Sequence, residues 1–209
     1  MTPFTTVKGR AAPLMKTNVD TDVIIRIERL TAGERSQLGA HALAALRYLP
    51  DGKENPDFVF NQPKYRQAPI LIAGRNFGCG SSREGAVWAL MGMGLRCVIA
   101  ESFGDIFFGN CFQNGMLPIR LPASVVQSLA DESLASDAPF AVDLEHCTVT
   151  TPSGKTIAFT VDTLRRESLL TGLDDIGLTL KCDHEIAAWQ AADRAARPWI
   201  WAVGNASLR

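Results

Sequence analysis

The apolar run Ile70 to Ala73 lies between Pro69 and a glycine-rich stretch, and a block of this length with these bounds predicts a short buried strand. Residues 82–92 have the apolar spacing of a helix, and Cys97 to Ala100 is a second short apolar run. Together they predict one β-α-β unit with parallel strands and a right-handed crossover. Phe103, Ile106, Phe107 and Cys111 recur at helical spacing, which predicts a helix over 103–113 ending near Gly115. Phe107 and Phe108 on that stripe are expected in the core rather than as a cofactor platform. Met116 to Leu121 follows as the next strand and Ala123 to Leu134 as an amphipathic helix.

The flanking segments are less regular. Val7 to Arg10 predicts a short strand, followed by a turn at Pro13. Asn18, Asp20, Thr21 and Asp22 form a polar cluster that predicts a tight turn, or a turn plus the N-cap of a short helix. Residues 31–40 are expected as a polar surface loop, 40–48 as a short helix, and 51–69 as irregular with a brief strand at Phe58 to Phe60. Phe140 to Leu144, Cys147 to Thr151 and Lys155 to Asp162 predict three antiparallel strands, the last two joined at Pro152-Ser-Gly154. A helix over Thr163 to Leu170 closes at Gly172, and a final helix covers about 183–196. Trp199 and Trp201 beyond it are expected to pack on the core or to join a contact between subunits. The pattern is α/β: a parallel β-α-β core plus antiparallel strands, one domain over 1–209 with a C-terminal helical extension from about 183.

Composition narrows the classes. A formal charge of −1 argues against a dedicated nucleic-acid surface. No apolar run approaches the roughly 20 residues of a membrane span, and the first residues carry no signal-peptide core, so a cytoplasmic location is expected. Cys79, Cys97, Cys111, Cys147 and Cys182 are scattered, without a Cys-x-x-Cys pair, which is neither a disulfide framework nor a metal-site pattern. Cys79 alone lies in the glycine-rich loop, as a small buried side chain or a reactive thiol.

The candidate chemistry is in that loop. Gly74, Gly78 and Gly80 allow sharp turns and close approach of a ligand. Ser81 and Glu84 have the spacing of a capping box, and a helix start attracts anions. Arg83 adds a planar cationic fork suited to a carboxylate or phosphate. The plainer reading is that Ser81 only caps the helix and Arg83 only faces water. A P-loop lysine, a third dinucleotide-fingerprint glycine and a Gly-x-Ser-x-Gly elbow are all missing. Asp20 and Asp22, being close together, are expected to meet a cation or a hydrogen-bond donor.

The runs Asn76-Phe-Gly-Cys-Gly-Ser-Ser-Arg-Glu84, Asn18-Val-Asp-Thr-Asp22, Ser102-Phe-Gly-Asp-Ile-Phe-Phe-Gly-Asn110 and Gly172-Leu-Asp-Asp-Ile-Gly-Leu-Thr-Leu180 together resemble the 3-isopropylmalate dehydratase small-subunit family, the counterpart of the swivel domain of aconitase-type hydro-lyases. The resemblance implies a swivelling β/β/α domain that works only with a large subunit. It places a 4Fe-4S cluster, the Lewis acid for the leaving hydroxyl, on that partner, with no cofactor or metal held by this chain. The implied substrate is a small hydroxy-diacid, dehydrated and rehydrated in leucine biosynthesis. Ser81 would be the general base, Arg83 the carboxylate fork, Ser82 a loop and substrate contact, and Asp22 a site aspartate. Asn18, Asp20, Gly80 and Arg29 would line the substrate, Asn18 and Asp20 chiefly by shaping their turn.

Some residues depart from the family pattern. Gly85 stands where histidine is common, Arg26 where proline usually follows Ile24-Ile25, and Glu167-Ser168 where His-Cys is frequent. The segment from Arg29 to Leu38, which carries substrate choice in the family, is more polar than an isopropyl group calls for. The alternatives are a paralogue acting on methylmalate or dimethylmalate, and a non-catalytic anion-binding module.

Overall fold

Two four-stranded sheets organise residues 1–172 of the computed structural model, which describes residues 1–32, 34–80 and 83–201. In chain order the elements of this unit are β1 (Thr6–Gly9), β2 (Ala11–Leu14), α1 (Thr21–Ile24), α2 (Ile27–Ala32), α3 (Leu38–His41) and α4 (Ala44–Arg47). They continue with β3 (Ile70–Ala73), α5 (Glu84–Gly92), β4 (Cys97–Ala100), α6 (Asp105–Asn114), β5 (Leu117–Arg120) and α7 (Ala123–Ala135). The unit closes with β6 (Phe140–Asp143), β7 (Thr148–Thr150), β8 (Thr156–Ala158) and α8 (Thr163–Thr171).

The parallel sheet has the order β2-β3-β4-β5, with Leu71 opposite Val98 and Ile99 opposite Ile119. Every residue of β3 and β4 is buried, as their unbroken apolar runs require of strands covered on both faces. Alternate side chains go to opposite faces. Leu71, Ala73, Val98 and Ala100 join Ala86, Val87, Leu90 and Phe107 in one cluster. Ile70, Ile72, Cys97 and Ile99 join Val126 and Leu129 of α7 and Phe140, Val142 and Val149 of the antiparallel sheet in the other. That second sheet has the order β1-β6-β7-β8. The architecture is the expected α/β class, with a parallel and an antiparallel sheet.

Several local expectations are corrected. Pro13 is not at a turn but inside β2, opposite Ile72. As the edge strand of its sheet, β2 needs ladder bonds on one side only, where a proline is tolerated. Residues 31–40 are not simply a polar loop. They hold the end of α2, a 3₁₀ turn at Arg35–Gln37 and the start of α3, with Leu38 and Gly39 buried. Val59–Asn61 is a 3₁₀ turn instead of a strand. Helix α5 starts at Glu84 with Arg83 as its N-cap, so Glu84 is its first helical residue, while Ser81, the other half of the expected capping box, lies outside the described residues. The Glu84 carboxylate accepts a hydrogen bond from Asn114 Nδ2 at 2.8 Å.

Residues from Leu173 form a second unit with α9 (Asp175–Leu180), α10 (Asp183–Ala196) and α11 (Pro198–Trp201). Asp174 caps α9 through the Gly177 N–H. Trp199 is not packed in a core but 66% exposed, while Trp201 folds back on its own unit and donates to Asp193 at 2.8 Å. No helix among the described residues is long and apolar enough to cross a membrane.

Candidate active site

Parallel strands end on one side, so the segments that follow β2, β3 and β4 emerge together. The loop after β3 is laced to both neighbours. On one side Gly78 N–H donates to Val19 O at 2.7 Å, and Thr21 N–H donates to Cys79 O at 3.0 Å. On the other, Phe77 N–H donates to Ser102 O at 3.0 Å, and Gly104 N–H donates to Phe77 O at 2.9 Å. Asn76 joins all three segments: its N–H donates to Ser102 Oγ at 3.0 Å and its side-chain amide donates to Asn18 Oδ1 at 2.8 Å. Three stretches distant in sequence thus become one edge.

Glycine is required where this lacing is tightest. Gly78 has φ +70°, and a Cβ there would lie 2.3 Å from Phe107 Cγ. Phe107 is in the core, as its helical spacing predicts; Phe108 is half-buried, with Arg120 Cζ 3.9 Å from its ring centroid. Gly80 has φ +87° and faces the Asp20 side chain, so its place beside the acidic turn follows from backbone conformation.

Both acidic residues of the polar turn find partners. Asp20 is the N-cap of α1, its carboxylate accepting from Val23 N–H at 2.7 Å. Asn18, at φ +53°, and Asp20 therefore shape the turn. Asp22, more than half exposed, forms an ion pair with Arg83, which is about three-quarters buried. Arg83 is accordingly not an arginine that merely faces water. Ser81 and Ser82 lie outside the described residues.

Asp22 also opens onto a cleft of about 440 Å³ lined by Arg26, Arg29, His41 and Tyr48, with Val23, Ala44 and Leu49 as its apolar wall. Arg29, expected to line the substrate, is among the residues of this cleft. His41 and Tyr48 carried no signal in the sequence, since each is an isolated residue at the end of a short helix. Nor did Asn114, which accepts from Trp88 Nε1 at 2.8 Å and Arg35 at 3.1 Å while donating to Glu84. No three histidine, cysteine or acidic residues gather as a metal site among the described residues. Cys97 and Cys111 are fully enclosed, and burial pushes both thiols well above their ordinary pKa. Cys79 is half-buried.

Residues 1–124 match the aconitase C-terminal domain model, 127–163 the LeuD_N model, and 175–200 the model of the C-terminal domain of the 3-isopropylmalate dehydratase small subunit. The 3-isopropylmalate dehydratase small subunit of Paramagnetospirillum magneticum is 52% identical over 201 residues, 96% of this chain and all of that one. The corresponding protein of Gluconacetobacter diazotrophicus is 54% identical over 95% of this chain and 97% of its own length. A solved 3-isopropylmalate dehydratase chain from Methanocaldococcus jannaschii superposes with a TM-score of 0.63 at 29% identity, covering 88% of this chain and 99% of that one. The chain belongs to the 3-isopropylmalate dehydratase small-subunit family.

Proposed function

We propose that this chain is the small subunit of a heteromeric hydro-lyase that interconverts 2- and 3-isopropylmalate in leucine biosynthesis, in the cytoplasm, with a cluster-bearing large subunit. The observation that carries the reading is the convergence of residues 18–22, 76–80 and 102–104 around the Asp22–Arg83 ion pair. The 4Fe-4S cluster is assigned to the partner, and the steps that follow belong to side chains of this chain.

Ser81 takes the proton from the carbon next to a substrate carboxylate. A serine hydroxyl is a poor base, and its alkoxide needs donors arranged in advance. Arg83, tethered by Asp22, is a cation of that loop, and its fork also suits the carboxylate that acidifies the carbon. Ser82 supports the loop and the substrate. Asn18 and Asp20 hold the turn that presents Asp22, and Gly80 lets the backbone approach. Arg29, which lines the same cleft as Asp22, receives the second carboxylate.

The test is turnover by the anaerobically reconstituted complex of small and large subunits on 3-isopropylmalate, methylmalate and dimethylmalate. Preferred use of 3-isopropylmalate, abolished by Ser81→Ala with assembly intact, is expected. Activity on only the smaller diacids would move the substrate assignment to the paralogue. Silence on all three would leave an anion-binding module.

A further inference from the structure

Leu30, Arg35 and Gly39 lie along one stripe of α5. At Gly85, an added Cβ would fall 2.3 Å from Leu30 Cδ2 and 3.2 Å from Leu30 Cγ. At Trp88, the Arg35 guanidinium carbon stands 4.3 Å from the ring centroid. At Gly92, the backbone is so close to Gly39 that a Cβ on Gly39 would fall 2.2 Å from Gly92 C. Positions 85, 88 and 92 share one helix face by their spacing of three and four. Leu30, Arg35 and Gly39 thus meet α5 in register, with Leu30 at its first turn.

The two ends of this seam differ in how they yield. At Gly39 and Gly92 backbone meets backbone, and neither side gives way. At Gly85 the opposing group is a side chain on α2, so any added bulk is taken up by moving Leu30 or α2. Arg29 is the next residue, and it shares a cleft with Arg26 and Asp22. Gly85 lies two residues after Arg83, the partner of Asp22.

We infer that Gly85 and Leu30 are a positioning pair that sets the separation between Arg29 and the Asp22–Arg83 ion pair, and thereby selects dicarboxylates whose second carboxylate spans it. The inference rests on the proposed function, because it assumes that this cleft receives substrate. The missing Cβ at residue 85 is then a specificity feature, since it allows α2 to seat deeply against the helix that carries Arg83.

The experiment is steady-state kinetics of the reconstituted complex on 3-isopropylmalate, with assembly and melting temperature measured alongside. Gly85→Ala is expected to raise KM by about fivefold or more while kcat changes by less than about twofold. Adding Leu30→Ala removes the obstructing methyls and returns KM to within about twofold of wild type. In an Arg29→Met background, Gly85→Ala adds nothing further to KM. A Gly85→Ala enzyme with unchanged KM and only a lowered melting temperature would overturn the inference, as would full additivity with Arg29→Met. If Gly85→Ala does not assemble, the cycle of Leu30→Ala with Arg29→Met decides: coupling in KM supports the pair and strict additivity overturns it. A wild-type complex with no turnover would instead sink the underlying function.

Discussion

The two sheets use similar numbers of short strands to opposite ends. In the parallel sheet β3 and β4 are buried at every position, and successive side chains feed two separate clusters. In the antiparallel sheet β6 alternates, with Phe140 and Val142 buried, and the edge strand β8 keeps Thr156 and Ala158 exposed. The sheets also differ in what their ends do. Of the three antiparallel pairs, β6–β7 and β7–β8 are joined by the local turns 144–147 and 151–155, and only β1–β6 brings together distant stretches. Parallel neighbours send their C-terminal ends out on one side, and residues 18–22, 76–80 and 102–104 meet there. Chemistry that needs groups from distant parts of a chain belongs at that edge, while the antiparallel sheet supplies buried area.

That division is open to attack at both sheets. The largest expected effect is Ser81→Ala, which should cost about 10³-fold or more in kcat with the complex still assembling, as measured by single-turnover kinetics and gel filtration. Arg83→Lys keeps the charge but loses the fork, so kcat/KM should fall about 10- to 100-fold. Gly78→Ala places a methyl against Phe107 at a left-handed φ, and should lower both stability, by about 2–4 kcal/mol in denaturant titration, and turnover. Val142→Ala should cost about 1–3 kcal/mol of stability while leaving kcat unchanged. A matching loss of kcat would show that the two sheets are not functionally separable.

The smallest effect concerns pH at the β6–β7 turn. His146 Nδ1 lies 2.9 Å from Asp143 Oδ2, an exposed pair that raises the histidine pKa and lowers that of the aspartate. The histidine contribution is complete below its unfolded pKa and is lost as pH rises through the raised folded value. The aspartate contribution is present above its unfolded pKa and is lost as pH falls through the lowered one. Stability should therefore show a slight maximum in the mildly acidic range, absent in His146→Gln and flattened by salt, with kcat unaffected at any one pH. A change in kcat would again join the two sheets.

The sequence by itself determined the elements whose signals are local. Apolar runs bounded by Pro69 and the glycines mark β3 and β4, since a strand covered on both faces must be apolar throughout. Helical spacing marks α6 and α7, and the unpaired acidic turn at Asp20 and Asp22 announced that partners would be found. The motif resemblance pointed to the family. Local signals misled where tertiary neighbours set the outcome. Pro13 is in a strand because β2 is at a sheet edge. Glu84 is the first residue of α5, and its carboxylate is held by Asn114 from another helix. The polar stretch around Leu38 and Gly39 is structured because Gly39 packs on the Gly92 backbone. Only the tertiary structure decided that Asp22 pairs with Arg83 across 61 residues of sequence, and that Leu30 seats on Gly85. Both follow from the parallel order of the strands and from close packing between helices, and neither leaves a periodicity in the chain to be read.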